Sequence, residues 1–364
     1  VSGVLYNTEY VAAKPKFALT ANGFEIRPGG NICPYHKALR ERAFMFNKLW
    51  AVTVNSFTET IRQPIYGILV LVTVGLLVFN VGIAGYTLED DNKLLKDLGL
   101  STLLLSGLFI SAFSASGILS QEIENKTVLT VVSKPISRPV FLLGKFAGLA
   151  GALAVAFYLC GIVFLLTMRH QVLERSSQDF DLPVIIFGTS AVVLTLLIAA
   201  FCNYLYDMQF TSTSITLGVP MMTLALVMVS LIGKDWKIQQ FGKDFIDGQL
   251  IGASALVFAM VMILTAVAVA VSTRLGQVMT LTLCTVVMLI GLVSDAMFGQ
   301  FRETSPLAQL AYWISPNLAF LWVTDALTQE NHITFQYVAL GAGYAGLIVL
   351  SWLFLGVALF QKRE

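Results

Sequence analysis

Eight runs of about 20 apolar residues dominate this chain: 66–86, 98–119, 140–168, 183–206, 213–233, 249–272, 276–298 and 336–360. A helix needs about 20 such residues to cross the roughly 30 Å hydrocarbon core of a bilayer, so each run is long enough to span. The reading is an all-α integral membrane protein, a polytopic helix bundle of about eight spans. Composition agrees, because only 12% of the 364 residues are charged and 56% are hydrophobic, whereas a soluble domain carries about 25% charge. No basic stripe interleaved with aromatics occurs, which argues against nucleic acid as a partner.

One stretch between the second and third runs breaks the apolar pattern. Gln121 to Lys145, QEIENKTVLTVVSKPISRPVFLLGK, carries Glu122, Glu124, Lys126, Lys134, Arg138 and Lys145. A charge at the bilayer centre costs roughly 2.5–3.5 kcal/mol on insertion scales, so this segment is expected at the membrane surface or in a polar cavity beside it. Glu122 to Val132 reads as a short amphipathic helix with Thr127, Val128, Val131 and Val132 close to one face. Lys134-Pro135 breaks it, since proline disfavours the α conformation in the residue before it. Ser137 then suits an N-cap, with Pro139 in the first turn of the next helix. Surface helix, turn and re-entry make the shape of a docking element that a soluble partner can push.

Around this stretch the chain divides into three parts. Residues 1–35 are polar, and lack the basic start, short apolar core and small-residue cleavage site of a secretory signal. Residues 36–65 read as an amphipathic helix, with Phe46, Leu49, Trp50, Val54, Phe57 and Ile61 three and four residues apart. Arg40, Arg42, Lys48 and Arg62 are available to lipid headgroups, so an interfacial helix along the membrane is preferred. Residues 66–364 form the membrane domain. With an even number of spans both termini share a side, and that side holds 15 of the 23 Lys and Arg residues. The positive-inside rule then puts both termini and the 121–145 loop in the cytoplasm. In the last outer connection, residues 306–328 are apolar and aromatic but broken by Pro316. Two short helices that dip in and return are expected there, not a ninth span.

The chemistry-bearing residues are sparse. No phosphate-binding glycine loop is present, because Gly144-Lys145 lacks the upstream glycine and the following hydroxyl residue. His36, His170 and His332 are isolated, and no hydrolase or metalloprotease motif occurs. Cys160, Cys202 and Cys284 lie in apolar runs and read as small buried residues, and Cys33-x-x-His36 has no second pair to complete a metal site. Asp295 reads as a carboxylate at a helix end reaching water, with a place along a transport path as the alternative. Asn80 and Asn203 fit packing and ligand roles equally. Gly144, Gly148 and Gly151 place small residues on one face of the third run, and Gly343 and Gly346 thin the last. Such faces let helices approach closely, either inside one subunit or at a dimer seam.

The run S-x-E-x-E-x-K-T-x-x-x-x-x-S-K-P-I-S-R-x-x-F-L-L-G-K, Ser120 to Lys145, resembles the first cytoplasmic loop of ABC-2 type transporter permeases. It is most similar to the branch containing the permease of the nitrous-oxide reductase maturation system. The likeness is strongest over residues 45–165, looser over 249–364, and does not extend to 1–35 or 170–245. The resemblance implies an exporter subunit in a bacterial inner membrane, with an elbow helix before the first span, a coupling helix and an outer re-entrant pair. It implies a six-span core, which makes the runs at 183–206 and 213–233 an inserted pair. It also implies a separate ATPase subunit that binds ATP and magnesium, and a partner permease, identical or homologous. Glu122, Glu124, Asn125, Lys126 and Thr127 would then dock on the ATPase, with Lys134, Pro135, Ser137 and Arg138 shaping the turn. A membrane scaffold or anchor for assembling another complex, without transport, is the alternative.

Overall fold

The computed structural model describes residues 34–86, 91–124, 137–172, 180–239, 248–299, 309, 312, 315–328 and 332–361, with no side-chain description at 34–44, 91, 119–124 and 361. The chain divides into two units, Val1–Phe44 and Met45–Glu364. Of the first, only the opening of one helix is described.

The described residues form helices and no strand. They are α1 (Pro34–Arg62), α2 (Pro64–Ala84), α3 (Asp91–Glu124), α4 (Arg138–His170), α5 (Leu182–Tyr206), α6 (Phe210–Leu231), α7 (Gly248–Ser272), α8 (Gln277–Ser294), α9 (Thr324–Thr328) and α10 (Phe335–Gln361). Eight of these, α2–α8 and α10, are long and apolar enough to cross a membrane, one for each apolar run. The chain is thus a multi-pass, all-α membrane protein. Proline sits in the first turn of α2, α4 and α5, where its missing N–H removes no intrahelical bond.

Helix α7 is the axis of the bundle. Its Ala- and Val-rich sequence has no polar face, and Leu256 to Ala270 is almost wholly enclosed by α3, α4, α8 and α10. Helix α2 packs on α3 and α4. Tyr66, fully buried, donates its hydroxyl to the Ala152 carbonyl at 2.8 Å. Asn80 donates to Thr102 Oγ1 at 2.9 Å and to the Leu98 carbonyl at 3.3 Å, so it ties α2 to α3. Helices α5 and α6 form a hairpin on the side of α4 and α2. In its turn Asp207 takes a left-handed backbone, φ 52°, and Asn203 donates to the Met208 carbonyl at 2.6 Å. Of the two asparagines that the sequence left undecided, Asn80 packs between helices, and Asn203 is exposed and closes its own turn.

Among the described residues, the segment before α10 holds no helix long enough to cross a membrane. From Ser315 it runs through a tight turn at Ala319–Leu321 and the one-turn α9, burying Leu318, Leu321 and Leu327 in the core. Gly291 of α8 admits it: a Cβ there would lie 2.8 Å from the Pro316 carbonyl oxygen, and the Gly291 carbonyl accepts from Leu318 N–H at 3.0 Å. Asp295, in a wide helical turn (Asp295–Gly299) after α8, is exposed and accepts from Tyr312 Oη at 3.0 Å and Asn317 Nδ2 at 2.8 Å. It anchors this segment from a helix end.

Candidate functional site

The candidate site is the end of the bundle where α3 finishes and α4 begins. Helix α3 runs 34 residues without a break, roughly 50 Å at 1.5 Å per residue and well beyond a membrane's thickness. Its apolar stretch therefore continues into a polar extension, of which Glu124 is the last described residue. Gln121 to Glu124 continue the second span's own helix, so Glu122 does not open a new one, and the rest of the expected Glu122–Val132 helix lies outside the described residues. The physical reason is that no proline or glycine lies between Gly117 and Glu124 to stop a helix already propagating. Asn125, Lys126, Thr127, Lys134 and Pro135 lie outside the described residues.

The chain re-enters at Ser137, which occupies the N-cap of α4 in extended backbone (φ −64°, ψ 139°). Its side chain makes no capping bond, but its carbonyl accepts from Phe141 N–H at 3.1 Å and so begins the helix. Arg138 is exposed, and its guanidinium lies 3.4 Å from the Phe360 carbonyl oxygen and 5.8 Å above the Phe360 ring. Phe360 also stacks on Phe141 at 5.9 Å. A second cation reaches the same place from the α7–α8 turn: Arg274 donates through Nε and Nη2 to the Leu359 carbonyl, at 3.1 and 2.7 Å. Two arginines thus bond the last carbonyls of α10, where the helix dipole is negative and no backbone partner remains. From its sequence context Arg138 was expected at the turn and the headgroups; the structure adds the end of the final span as its partner.

Lys145 corrects an expectation. It is not part of a surface loop but sits inside α4, only 2% exposed, with Nζ 3.2 Å from Glu59 Oε2 of α1. Its ammonium also lies 5.7 Å above the Phe141 ring. A buried cation persists when a partner accompanies it, and here α1 supplies that partner. The loop assigned to 121–145 therefore ends at Ser137.

Helix α1 reaches α4 across the glycine face. A Cβ on Gly144 would lie 2.7 Å from Val52 Cγ1. One on Gly148 would lie 2.5 Å from the Thr53 carbonyl oxygen, and one on Gly151 3.3 Å from the Phe57 ring. Within the chain, this face is packed against α1. Gly343 and Gly346 differ, with nothing within 4 Å of either position. On α1 the inward stripe is small and hydroxyl-bearing, with Ser56 and Thr60 fully buried. Phe46, Trp50 and Val54 turn outward. The residues that the spacing gathered onto one apolar face therefore serve two: Ile61 packs into the bundle, and the aromatic side faces away from it.

Sequence reasoning missed one cluster at the opposite end of α4. Arg169 is buried, with Nε 3.1 Å from Asp181 Oδ2, and it donates to the Val229 and Ile232 carbonyls, the latter at 2.6 Å. Asp181 is itself fully buried and caps α5, accepting from Val184 N–H at 3.3 Å. One guanidinium therefore joins the end of α4 to the start of α5 and the end of α6. The signal was Asp181-Leu-Pro, a capping acid before an N-terminal proline, but nothing in it named Arg169 as the partner.

No group of three or more His, Cys, Asp or Glu side chains among the described residues is placed to hold a metal ion. No protein-family model matches the chain, and no curated protein matches it.

Proposed function

We propose that this chain is the membrane subunit of an ABC-2 type transporter, an exporter in a bacterial inner membrane that works beside a second permease. In this reading both termini are cytoplasmic, and residues 121–137 dock on a separate ATPase that binds ATP and magnesium. Glu122, Glu124, Asn125, Lys126 and Thr127 make the docking contacts, and Lys134, Pro135, Ser137 and Arg138 shape the return.

The observation that carries the reading is mechanical. The charged segment is held between the two longest helices of the chain, α3 with 34 residues and α4 with 33. Both are packed into the common core, so a displacement of the segment moves two spans as rods. Helix α1 is fastened to α4 by close glycine packing and the Lys145–Glu59 pair, and the end of α10 by Arg138 and Arg274. Motion at one point is thereby shared with the elbow and the last span. The excess of Lys and Arg on this side supports its cytoplasmic placement. The missing phosphate loop puts ATP binding in another chain. Because α1 fills the Gly144–Gly148–Gly151 face, pairing with a second permease uses another surface.

The test is affinity purification of the tagged chain from its native membrane, with magnesium-ATPase turnover measured on the eluate. The parent should elute with an ATPase subunit, and Glu122→Lys with Glu124→Lys should elute at the same yield without it. Surface changes alter stability by only about ±0.5 kcal/mol, so the variant's melting temperature should hold. Reversing paired interface charges costs about 2–5 kcal/mol of affinity. ATP turnover by the isolated chain, or a double variant that keeps its ATPase, overturns the reading.

A further inference from the structure

A half-open polar hollow lies at the Arg169 end of α4. Among the described residues it is lined by Arg169 and Gln171 at the end of α4, and by Lys234, Asp235, Lys237 and Gln239 of the turn that follows α6. Its base is fixed. Arg169 is buried, holds Asp181, and donates to the Ile232 carbonyl at 2.6 Å, so the guanidinium seats the turn on α4. The turn is itself closed. Gly233 N–H donates to the Lys237 carbonyl and Gln239 N–H to the Leu231 carbonyl, both at 2.9 Å, and Ile232 pairs with Ile238 in an antiparallel bridge.

Two backbone strains flank the hollow. Trp236, between the two lysines, is left-handed at φ 59°, with its ring 6.3 Å from that of Phe187 on α5. Gln171 has φ 60° and ψ 173°, a conformation that is essentially glycine's alone. Strains of this kind cost about 1–3 kcal/mol each and gather at ligand sites, where the surroundings hold them in place. Three non-glycine residues have positive φ among the described residues, and two of them are here.

Charge names the chemistry of the occupant. Arg169 is already neutralised by Asp181, which leaves Lys234, Lys237 and Asp235 to set the field in the hollow. All three are exposed, and no ion pair among the described residues uses either lysine. An entering anion meets two ammonium groups against one carboxylate, with the amides of Gln171 and Gln239 as further donors. The hollow also sits where membrane-crossing helices α4, α5 and α6 converge. Trp236 and Ile238 beside it are 51% and 90% exposed, and tryptophan with lysine at a helix end marks the headgroup level. The anion concentrated at that level is phosphate.

We propose that the hollow is a binding site for an anionic phosphate group, held between Lys234 and Lys237. An acidic phospholipid headgroup and a soluble phosphate both carry that chemistry. The site rests on the multi-pass fold and stands whether or not an ATPase docks at the other end of the bundle.

The test uses the full chain, purified in a neutral detergent and freed of lipid. One arm adds phosphatidylglycerol, with zwitterionic phosphatidylcholine as reference, and follows bound lipid by native mass spectrometry. The other adds inorganic phosphate in equilibrium dialysis. The parent should bind phosphatidylglycerol ahead of phosphatidylcholine, or bind phosphate saturably. Lys234→Gln with Lys237→Gln should weaken that binding about thirtyfold, at roughly fivefold for each lysine. Asp235→Asn should strengthen it, and both variants should keep the parent's melting temperature. Lys96→Gln removes a cation from α3 at the same end of the bundle, where Asn92 Oδ1 accepts from Val172 N–H at 3.5 Å, and should change binding little. Binding of the lipid alone identifies a headgroup, and binding of phosphate identifies a soluble ligand; either one, lost with the two lysines, upholds the site. Binding of neither probe overturns it. So does binding that is indifferent to the two lysines, or that Lys96→Gln weakens as much.

Discussion

Helix α4 carries an ion pair near each end, and the two are built differently. Arg169 and Asp181 are both sealed from solvent, at 4% and 0% exposure, and each is bonded further, the arginine to two carbonyls and the aspartate to a helix-capping N–H. Lys145 is as deeply buried, at 2%, but its partner Glu59 is 31% exposed. Desolvating two charges in low dielectric is costly unless every remaining donor and acceptor is satisfied. The first pair meets that demand and fixes three helix ends together. The second leaves its carboxylate partly in water, where exchange of partners costs less. The difference teaches where this molecule is rigid: the α5–α6 hairpin is locked to the core at the Arg169 end, and α1 is fastened by packing more than by charge.

The contrast can be broken by substitution, with thermal unfolding of the purified protein in detergent as the measure. Asp181→Ala has the largest expected effect. It strands a buried guanidinium and removes the cap of α5, and breaking a buried pair from one side costs about 3–5 kcal/mol. Asp181→Asn keeps an acceptor and the cap, and should recover part of that loss. Next comes Gly148→Leu, which forces a side chain against the Thr53 carbonyl oxygen and the Phe57 N–H. Backbone on one side and helix on the other leave little room, so about 1–3 kcal/mol is expected. Glu59→Ala should cost least, about 1 kcal/mol: it takes the carboxylate from the buried Lys145, but Glu59 borders water, so its removal lets water reach the ammonium, which keeps its contact with the Phe141 ring. An Asp181→Ala loss no larger than that of Glu59→Ala would erase the distinction between the two ends. A Gly148→Leu loss smaller than that of Glu59→Ala would show that charge, and not close packing, holds the elbow.

The number and placement of the spanning helices were legible in the sequence because lipid imposes a length and a polarity on every crossing segment. Ser137 and Pro139 marked the start of α4 through local chemistry. That α3 continues past Gln121 was not legible. Glu122 and Glu124 look like the start of something new when hydropathy is read alone, yet a helix continues until a residue stops it. Lys145 was misplaced for a related reason: a lysine seven residues after Arg138 resembles more of the same loop until Glu59 is brought beside it from 86 positions away.

What the sequence determined by itself is local and solvent-driven: eight apolar helices, the polar interruptions between them, and the absence of a nucleotide-binding loop. What only the tertiary structure decided is which surfaces meet. Gly144, Gly148 and Gly151 permit close approach by any helix, and the fold alone chose α1. Arg169 and Asp181 are unremarkable as letters and become a clamp only when α4, α5 and α6 converge. Periodicity records the medium that each residue faces, but partners far apart in the chain are fixed by packing, and no local pattern encodes them.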